Sequence, residues 1–137
     1  MTIKVCLAVC LCMMFSCAKQ GSYIPNVAVN FQAPLNDPNL AALHSVGGAV
    51  LVNGYGVAGL IIYREADGSY AAYDRCSSFN PERKCAVTLD SPSFTVTDPC
   101  SGSKFSLADG SPVKAPATRS LKAYSVNVSN FEIFVSN

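Results

Sequence analysis

The sequence predicts an all-β domain, a small antiparallel sandwich or barrel, from three observations. Apolar and polar residues alternate with a period of two in several short runs, as in strands that are buried on one face. Asp-Gly and Gly-rich turns separate these runs. No segment after residue 17 shows the longer apolar period of about 3.6 residues that an amphipathic helix requires.

The candidate strands follow one another along the chain. They are Val27–Phe31, Ala49–Asn53, Ala58–Arg64, Tyr70–Asp74, Ser93–Thr97 and Lys104–Leu107, then two alternating runs, Tyr124/Val126/Val128 and Phe131/Ile133/Val135. Asp67-Gly68 predicts a hairpin between the third and fourth runs. Asp109-Gly110 predicts a second tight turn. Leu35–His44 is the one segment where we expect a helical turn.

Composition excludes several classes of protein. Ten Lys and Arg residues balance nine Asp and Glu residues, the net charge is +1 and no basic stretch stands out, so we expect no nucleic-acid partner. The chain is 50% hydrophobic and 14% charged, which excludes a disordered protein. No apolar run reaches the roughly 20 residues of a spanning helix, which excludes a multi-span membrane protein.

The first residues predict an export signal that ends in a lipid-modified cysteine. Lys4 precedes an apolar segment, Val5–Phe15, which is too short to span a membrane. The sequence Phe15-Ser16-Cys17-Ala18 then resembles the lipobox of bacterial lipoproteins, although Met14 stands where Leu is usual. A plain signal peptide cut elsewhere and a short N-terminal anchor are the alternatives.

This interpretation divides the chain into three parts. Residues 1–16 are the expected signal peptide, residues 17–26 a lipidated tether that begins at Cys17, and residues 27–137 a β domain. We expect an exported protein that is anchored to a bacterial cell envelope, in the periplasm or at the outer membrane, through its N-terminal lipid.

Seven cysteines reduce to three after processing. Three of them belong to the apolar signal segment, namely Cys6, Cys10 and Cys12, and Cys17 takes the lipid. Cys76, Cys85 and Cys100 remain, and thiols in an exported protein tend to pair. Because three is an odd number, at least one thiol is left out of any disulfide.

Two stretches of the second half have the pattern of metal-binding boxes. The segment from Asp98 to Phe105, Asp-Pro-Cys-Ser-Gly-Ser-Lys-Phe, keeps the frame of C-P-C-H-G-S-x-F, and it is followed by Asp109-Gly110, Ala115-Pro116-Ala117 and Leu121. A first box, C-x-H with a later cysteine, falls on Cys76-Ser77-Ser78 and Cys85. This pattern resembles a Rieske iron–sulfur domain over about residues 47–137.

The resemblance implies a Rieske-type β fold and an electron-transfer role through a [2Fe–2S] cluster, which two Cys and two His bind. The ligand positions fall on Cys76, Ser78, Asp98 and Ser101, and only Cys76 keeps a ligand of the family type. The single histidine, His44, lies outside both boxes and cannot supply two imidazoles. Three thiols cannot form a four-Cys cluster, so we expect neither cofactor nor metal.

The resemblance also implies a disulfide between Cys85 and Cys100, which are 15 residues apart. Closing such a loop stabilises a domain by about 3 kcal/mol in the chain-entropy model. Cys76 is then the free thiol. The pairings Cys76–Cys100 and Cys76–Cys85 remain open from the sequence.

The functional hypothesis is a structural or binding module of the cell envelope with an unidentified protein partner and no catalytic residues of its own. One alternative is an electron-transfer protein with an atypical ligand set, in which Cys76 and Asp98 are shared between two chains. Another is a thiol-redox protein in which Cys76 attacks the Cys85–Cys100 disulfide. A zinc site built from Cys76, Asp98, Asp74 and His44 matches no common ligand spacing and is not expected.

Overall fold

The computed structural model describes residues 23–137, and the regular structure of this part is mostly β. The ten strands are β1 (Asn30–Pro34), β2 (Ala49–Val52), β3 (Leu60–Arg64), β4 (Tyr70–Asp74), β5 (Thr88–Leu89), β6 (Thr95–Thr97), β7 (Lys104–Ser106), β8 (Pro112–Lys114), β9 (Ala123–Ser129) and β10 (Glu132–Ser136). Two short 3-10 helices span Pro38–His44 and Pro81–Arg83. The first of them confirms the expected helical turn.

The predicted signal peptide, the lipid site at Cys17 and the first part of the tether lie outside the described residues. They and the domain boundaries stay predictions. Among residues 23–137, no helix is long and apolar enough to cross a membrane.

The strands form two antiparallel sheets, which confirms the predicted all-β class. The larger sheet has six strands in the order β1-β10-β9-β4-β3-β2, and the smaller has four in the order β5-β6-β7-β8. The predicted hairpin joins β3 to β4, from the pair Leu60 and Asp74 at one end to Arg64 and Tyr70 at the other. Gly68 in its turn has a φ of +87°, a conformation that glycine adopts without strain.

Strand β3 lies between two hydrophobic clusters. Leu60 and Ile62 pack with residues of β1, β9, β10 and the first 3-10 helix. Ile61 and Tyr63 pack on the opposite face against residues of the smaller sheet, including Phe105. Because both faces are covered, β3 is a continuous apolar run rather than an alternating one. The smaller sheet is thereby held against one face of the larger sheet.

Three strands, β1, β5 and β8, depart most from the sequence prediction, and the limits of β2, β3, β6 and β7 differ from it by one or two residues. β1 begins at Asn30 rather than Val27, because its register with β10 places Phe31 and Ala33 in the core. The sequence does not predict β5 or β8, since strands of two and three residues are too short to show alternation.

Two phenylalanines that the alternation assigns to buried faces are exposed. Phe94 precedes β6 and is 55% exposed, and Phe131 is 87% exposed. Glu132 pairs with Ser129, so Asn130 and Phe131 form a two-residue turn with φ values of 51° and 63°. Such hairpin turns need positive φ at both central positions, which takes Phe131 out of the strand.

The first described residues pack beside the segment that precedes β9. The Tyr23 hydroxyl donates a hydrogen bond to the Ser120 carbonyl, and the guanidinium carbon of Arg119 lies 5.2 Å from the centre of the Tyr23 ring. At the start of β9, Ala123 pairs with Tyr73 near the end of β4. The chain therefore enters the domain at the end of the large sheet where β4 finishes.

Candidate functional site

Two loops meet at the end of β4. The first, residues 75–87, follows β4, and the second, residues 98–103, connects β6 to β7. A disulfide between Cys85 and Cys100, with a Cα–Cα distance of 6.3 Å, joins them in the pairing that the family resemblance implies. Cys76 is a buried free thiol. The four positions that correspond to Rieske ligands therefore lie on these loops, two on each.

The carboxylate of Asp98 is completely buried between the loops. Its Oδ2 accepts hydrogen bonds from Ser77 Oγ at 2.7 Å and from Ser101 Oγ at 2.6 Å. Its Oδ1 accepts the backbone N–H of Cys100 at 2.8 Å. Burial by itself raises the pKa of Asp98, but the hydrogen bonds outweigh burial and the pKa is lowered from its ordinary value. The two loops thus share an ionised, internally hydrogen-bonded carboxylate.

The hydrogen bonds continue from this carboxylate into the segment that carries Ala115-Pro116-Ala117, here called the proline loop. Ser101 Oγ and Ser103 Oγ lie 2.9 Å apart, and Ser103 Oγ accepts the backbone N–H of Ala117 at 2.9 Å. Ser101 donates its one hydroxyl hydrogen to the carboxylate, so in the bond between the two serines Ser103 is the donor and Ser101 the acceptor. Ser78 Oγ donates to the Arg119 carbonyl at 2.6 Å and ties the first loop to the same segment.

A second buried carboxylate, that of Asp74, fixes the start of the first loop. It accepts four hydrogen bonds of 2.7 to 3.1 Å, from the backbone N–H groups of Cys76, Val57 and Ala58 and from the Tyr124 hydroxyl. Gly56 lies directly against it, since a Cβ on Gly56 would come within 2.3 Å of Asp74 Oδ2. A glycine is therefore needed at this approach.

The buried thiol of Cys76 is poorly suited to attack a disulfide. Burial, and after it the charge of Asp74, raises the pKa of Cys76 to about 11, and the side chain is 0% exposed. Its Sγ lies 3.5 Å from the Pro81 carbonyl oxygen, to which the thiol donates. A thiol-redox protein needs an accessible thiol of low pKa. Cys76 meets neither requirement.

Ser77 is a site residue that sequence reasoning misses. It lies between two family positions and has no role of its own in the motif, and its partner Asp98 is 21 residues away. No local pattern connects them. The sequence indicates Asp74 only as a possible zinc ligand. Gly56, within a Gly-rich turn, is the single sign in the sequence of a close approach there.

The mixed zinc site is not assembled. Within residues 23–137, one group of three potential metal ligands has its ligand atoms within 4.8 Å of one another, namely Cys85, Asp98 and Cys100. Two of these form the disulfide and offer no thiolate. His44 lies in the first 3-10 helix, where its Nε2 is 2.9 Å from the Leu35 carbonyl oxygen.

The four ligand positions do not fit a Rieske [2Fe–2S] centre. That centre takes two thiolates and two imidazoles, whereas these positions provide one thiol, one carboxylate and two hydroxyls. The oxygens of Asp98, Ser101 and Ser78 are already engaged in hydrogen bonds within the protein. The remaining donor, Cys76, is one buried thiol where the centre takes two thiolates.

No family model and no curated protein matches this chain. Among solved structures, the cyanobacterial plasma membrane Rieske protein PetC3 from Synechocystis is similar with a TM-score of 0.58 and 23% identity, over 82% of this chain and 100% of that chain. The ferredoxin of carbazole 1,9a-dioxygenase from Nocardioides aromaticivorans gives 0.51 and 20%, over 80% and 97%. The Sphingomonas yanoikuyae ferredoxin gives 0.50 and 20%, over 68% and 88%. At these identities the likeness concerns the fold alone, and it confirms the predicted Rieske-like β fold.

Proposed function

We propose that this protein is an exported, lipid-anchored Rieske-like domain that holds no [2Fe–2S] cluster and serves as a structural or binding module of the cell envelope. Its partner would be another protein of the envelope. Electron transfer, which the fold alone suggests, is not part of this proposal, because fold does not carry function where the site chemistry differs.

The Asp98 carboxylate is the observation that carries the proposal. It stands at a cluster-ligand position, yet its oxygens accept hydrogen bonds from Ser77 Oγ, Ser101 Oγ and the backbone N–H of Cys100. An iron would have to displace these donors and leave buried hydroxyls without a partner, which costs about 1–3 kcal/mol for each group. The network is complete without a metal.

The two loops also have a cross-link that needs no metal. The Cys85–Cys100 disulfide joins them directly, and the serine hydrogen bonds attach them to the proline loop. A rigid loop pair of this kind suits a module that presents a fixed surface. The structural or binding role rests on this rigidity.

Metal analysis of the anaerobically purified mature protein, from which residues 1–16 have been removed and in which Cys17 carries the lipid, tests the proposal. We expect far less than one iron and one acid-labile sulfide per chain, no visible absorption, and a single thiol that reacts slowly with an alkylating reagent until the protein is unfolded. A Rieske ferredoxin that is expressed and handled in parallel is the control for cluster loss. Stoichiometric iron and sulfide, with a Rieske-type paramagnetic resonance signal after reduction, would establish the electron-transfer alternative instead.

The lipid anchor has its own test in a bacterial host supplied with labelled palmitate. We expect the wild-type chain to carry the label and to sediment with membranes, and Cys17→Ser to lose both properties, because more than one acyl chain is needed for stable anchoring. Cys12→Ser, a change within the apolar segment that the signal should tolerate, is the matched control. Label that persists in Cys17→Ser would contradict the lipoprotein assignment.

A further inference from the structure

A groove of about 690 Å³ lies at the opposite end of the β3–β4 hairpin from the two loops. Its walls include Leu35, His44, Arg64, Tyr70 and Phe131. Its volume lies within the range of small-molecule sites, and mixed aromatic and charged walls are typical of them. The groove shares none of these residues with the Asp98 network.

Arg64 is a cation in this groove without an anionic partner. Its Nη1 donates to the Leu43 carbonyl at 3.3 Å and to the Tyr70 hydroxyl, and its guanidinium carbon lies 4.6 Å from the centre of the Tyr70 ring. Within residues 23–137, no carboxylate lies at ion-pair distance from Arg64. Its Nε is buried without an acceptor. The tyrosine and the carbonyl hold the guanidinium in place, and its charge is left for a ligand.

Phe131 supplies an apolar wall at a conformational cost. It is 87% exposed and has a φ of 63°, in a turn position where glycine is usual. A bulky residue with positive φ is a strained outlier, and such outliers concentrate at ligand sites. Exposure leaves the ring free to cover an apolar group in the groove.

The one acidic residue that lines the groove, Glu132, does not form an ion pair with Arg64. Glu132 accepts a hydrogen bond from Gln32 Nε2 at 2.9 Å. His44 is likewise fixed, through its Nε2, at the Leu35 carbonyl. Arg64 is the one Arg or Lys that lines the groove, and no carboxylate of residues 23–137 forms an ion pair with it.

We propose that this groove binds a small organic acid, with its carboxylate on Arg64 and its apolar body against Leu35 and Phe131. A guanidinium donates strong, charge-assisted hydrogen bonds to a carboxylate. In Arg64 the nitrogen free to do so is Nη2, because Nη1 already donates to Leu43 and Tyr70 and Nε is buried. The site is independent of the Asp98 loops, so this inference stands whether or not the domain carries a cluster.

Titration of the full chain in detergent with phenylacetate and with its neutral analogue phenylacetamide, followed by NMR, tests the site. We expect phenylacetate to shift the resonances of the groove residues and the amide to bind at least about tenfold more weakly, since a hydrogen bond to a charged group is the stronger one. Arg64→Gln should weaken phenylacetate binding by at least about tenfold. Arg119→Gln is the matched control, because Arg119 also stacks on a tyrosine but lies at the far end of the domain.

Phe131→Gly separates binding from folding. The variant relieves the positive-φ strain and should melt at a higher temperature than the wild type, yet it should bind phenylacetate more weakly because the apolar wall is gone. The proposal would be overturned if the acid and the amide bound equally well, or if Arg64→Gln or Phe131→Gly bound phenylacetate as tightly as the wild type. It would also be overturned if up to about 10 mM phenylacetate shifted no groove resonance.

Discussion

Asp98→Ala is expected to lower the free energy of unfolding by about 3–5 kcal/mol, the largest effect of any substitution in the two loops. Each hydrogen bond to a charged group contributes about 1.5–3 kcal/mol, and the variant leaves buried Ser77 without its acceptor. The measurement is urea unfolding at neutral pH. Asp109→Ala is the control, because Asp109 accepts comparable bonds from Ser111 in an exposed turn and its loss should change stability little.

The effect of Asp98 should also depend on pH. Folding lowers the pKa of Asp98 from its ordinary value of 3.8, so the ionised carboxylate stabilises the fold fully above that value. This contribution is lost as the pH falls through the lower folded-state pKa. The stability difference between the wild type and Asp98→Asn, which cannot titrate, should therefore shrink on acidification below about pH 4. A difference that is constant from neutral to acid pH would contradict an ionised Asp98.

Removal of the disulfide is expected to lower the free energy of unfolding by about 3 kcal/mol, the value for a loop of this length. The double variant Cys85→Ser with Cys100→Ser opens the cross-link that spans 15 residues of sequence. Urea unfolding of this variant should match that of the wild type in the presence of a reducing phosphine.

The same reductant added to the double variant is the internal control and should change nothing, since the remaining Cys76 forms no disulfide. If the reductant did not change the unfolding midpoint of the wild type, the disulfide would contribute no stability. If replacing Cys76 in the wild-type chain removed the effect of the reductant on the unfolding midpoint, the cross-link would have to include Cys76 instead.

Short-range patterns predict much of this fold. The Asp67-Gly68 turn and its flanking apolar runs predict β3 and β4 with their observed limits at Arg64 and Tyr70, because hairpin pairing is local. Alternation predicts β9 and β10 but places Phe131 in a strand. The turn that joins the strands takes two residues, and alternation alone does not give the length of a turn. β5 and β8 depend on pairing with neighbours rather than on their own residues.

The sequence predicts only part of the candidate site. The box frame places Cys76, Ser78, Asp98 and Ser101 on two loops, and counting histidines shows that the donors of a Rieske centre are missing. What replaces them could not be predicted, because the contact of Ser77 with Asp98 arises only when two distant loops are folded against each other. The sequence does not predict the groove at Arg64 for the same reason, because its walls come from five separate parts of the chain.

The contact of Tyr23 with Ser120 would decide how an anchored domain is oriented. If Cys17 carries the acyl chains, the six residue steps from Cys17 to Tyr23 can span at most about 20 Å between the anchor and the domain. The disulfide end of the domain would then stay close to the bilayer surface, while the hairpin turns project toward the surrounding fluid. Envelope proteins lying flat on the membrane would meet the first end, and dissolved small molecules would meet the second.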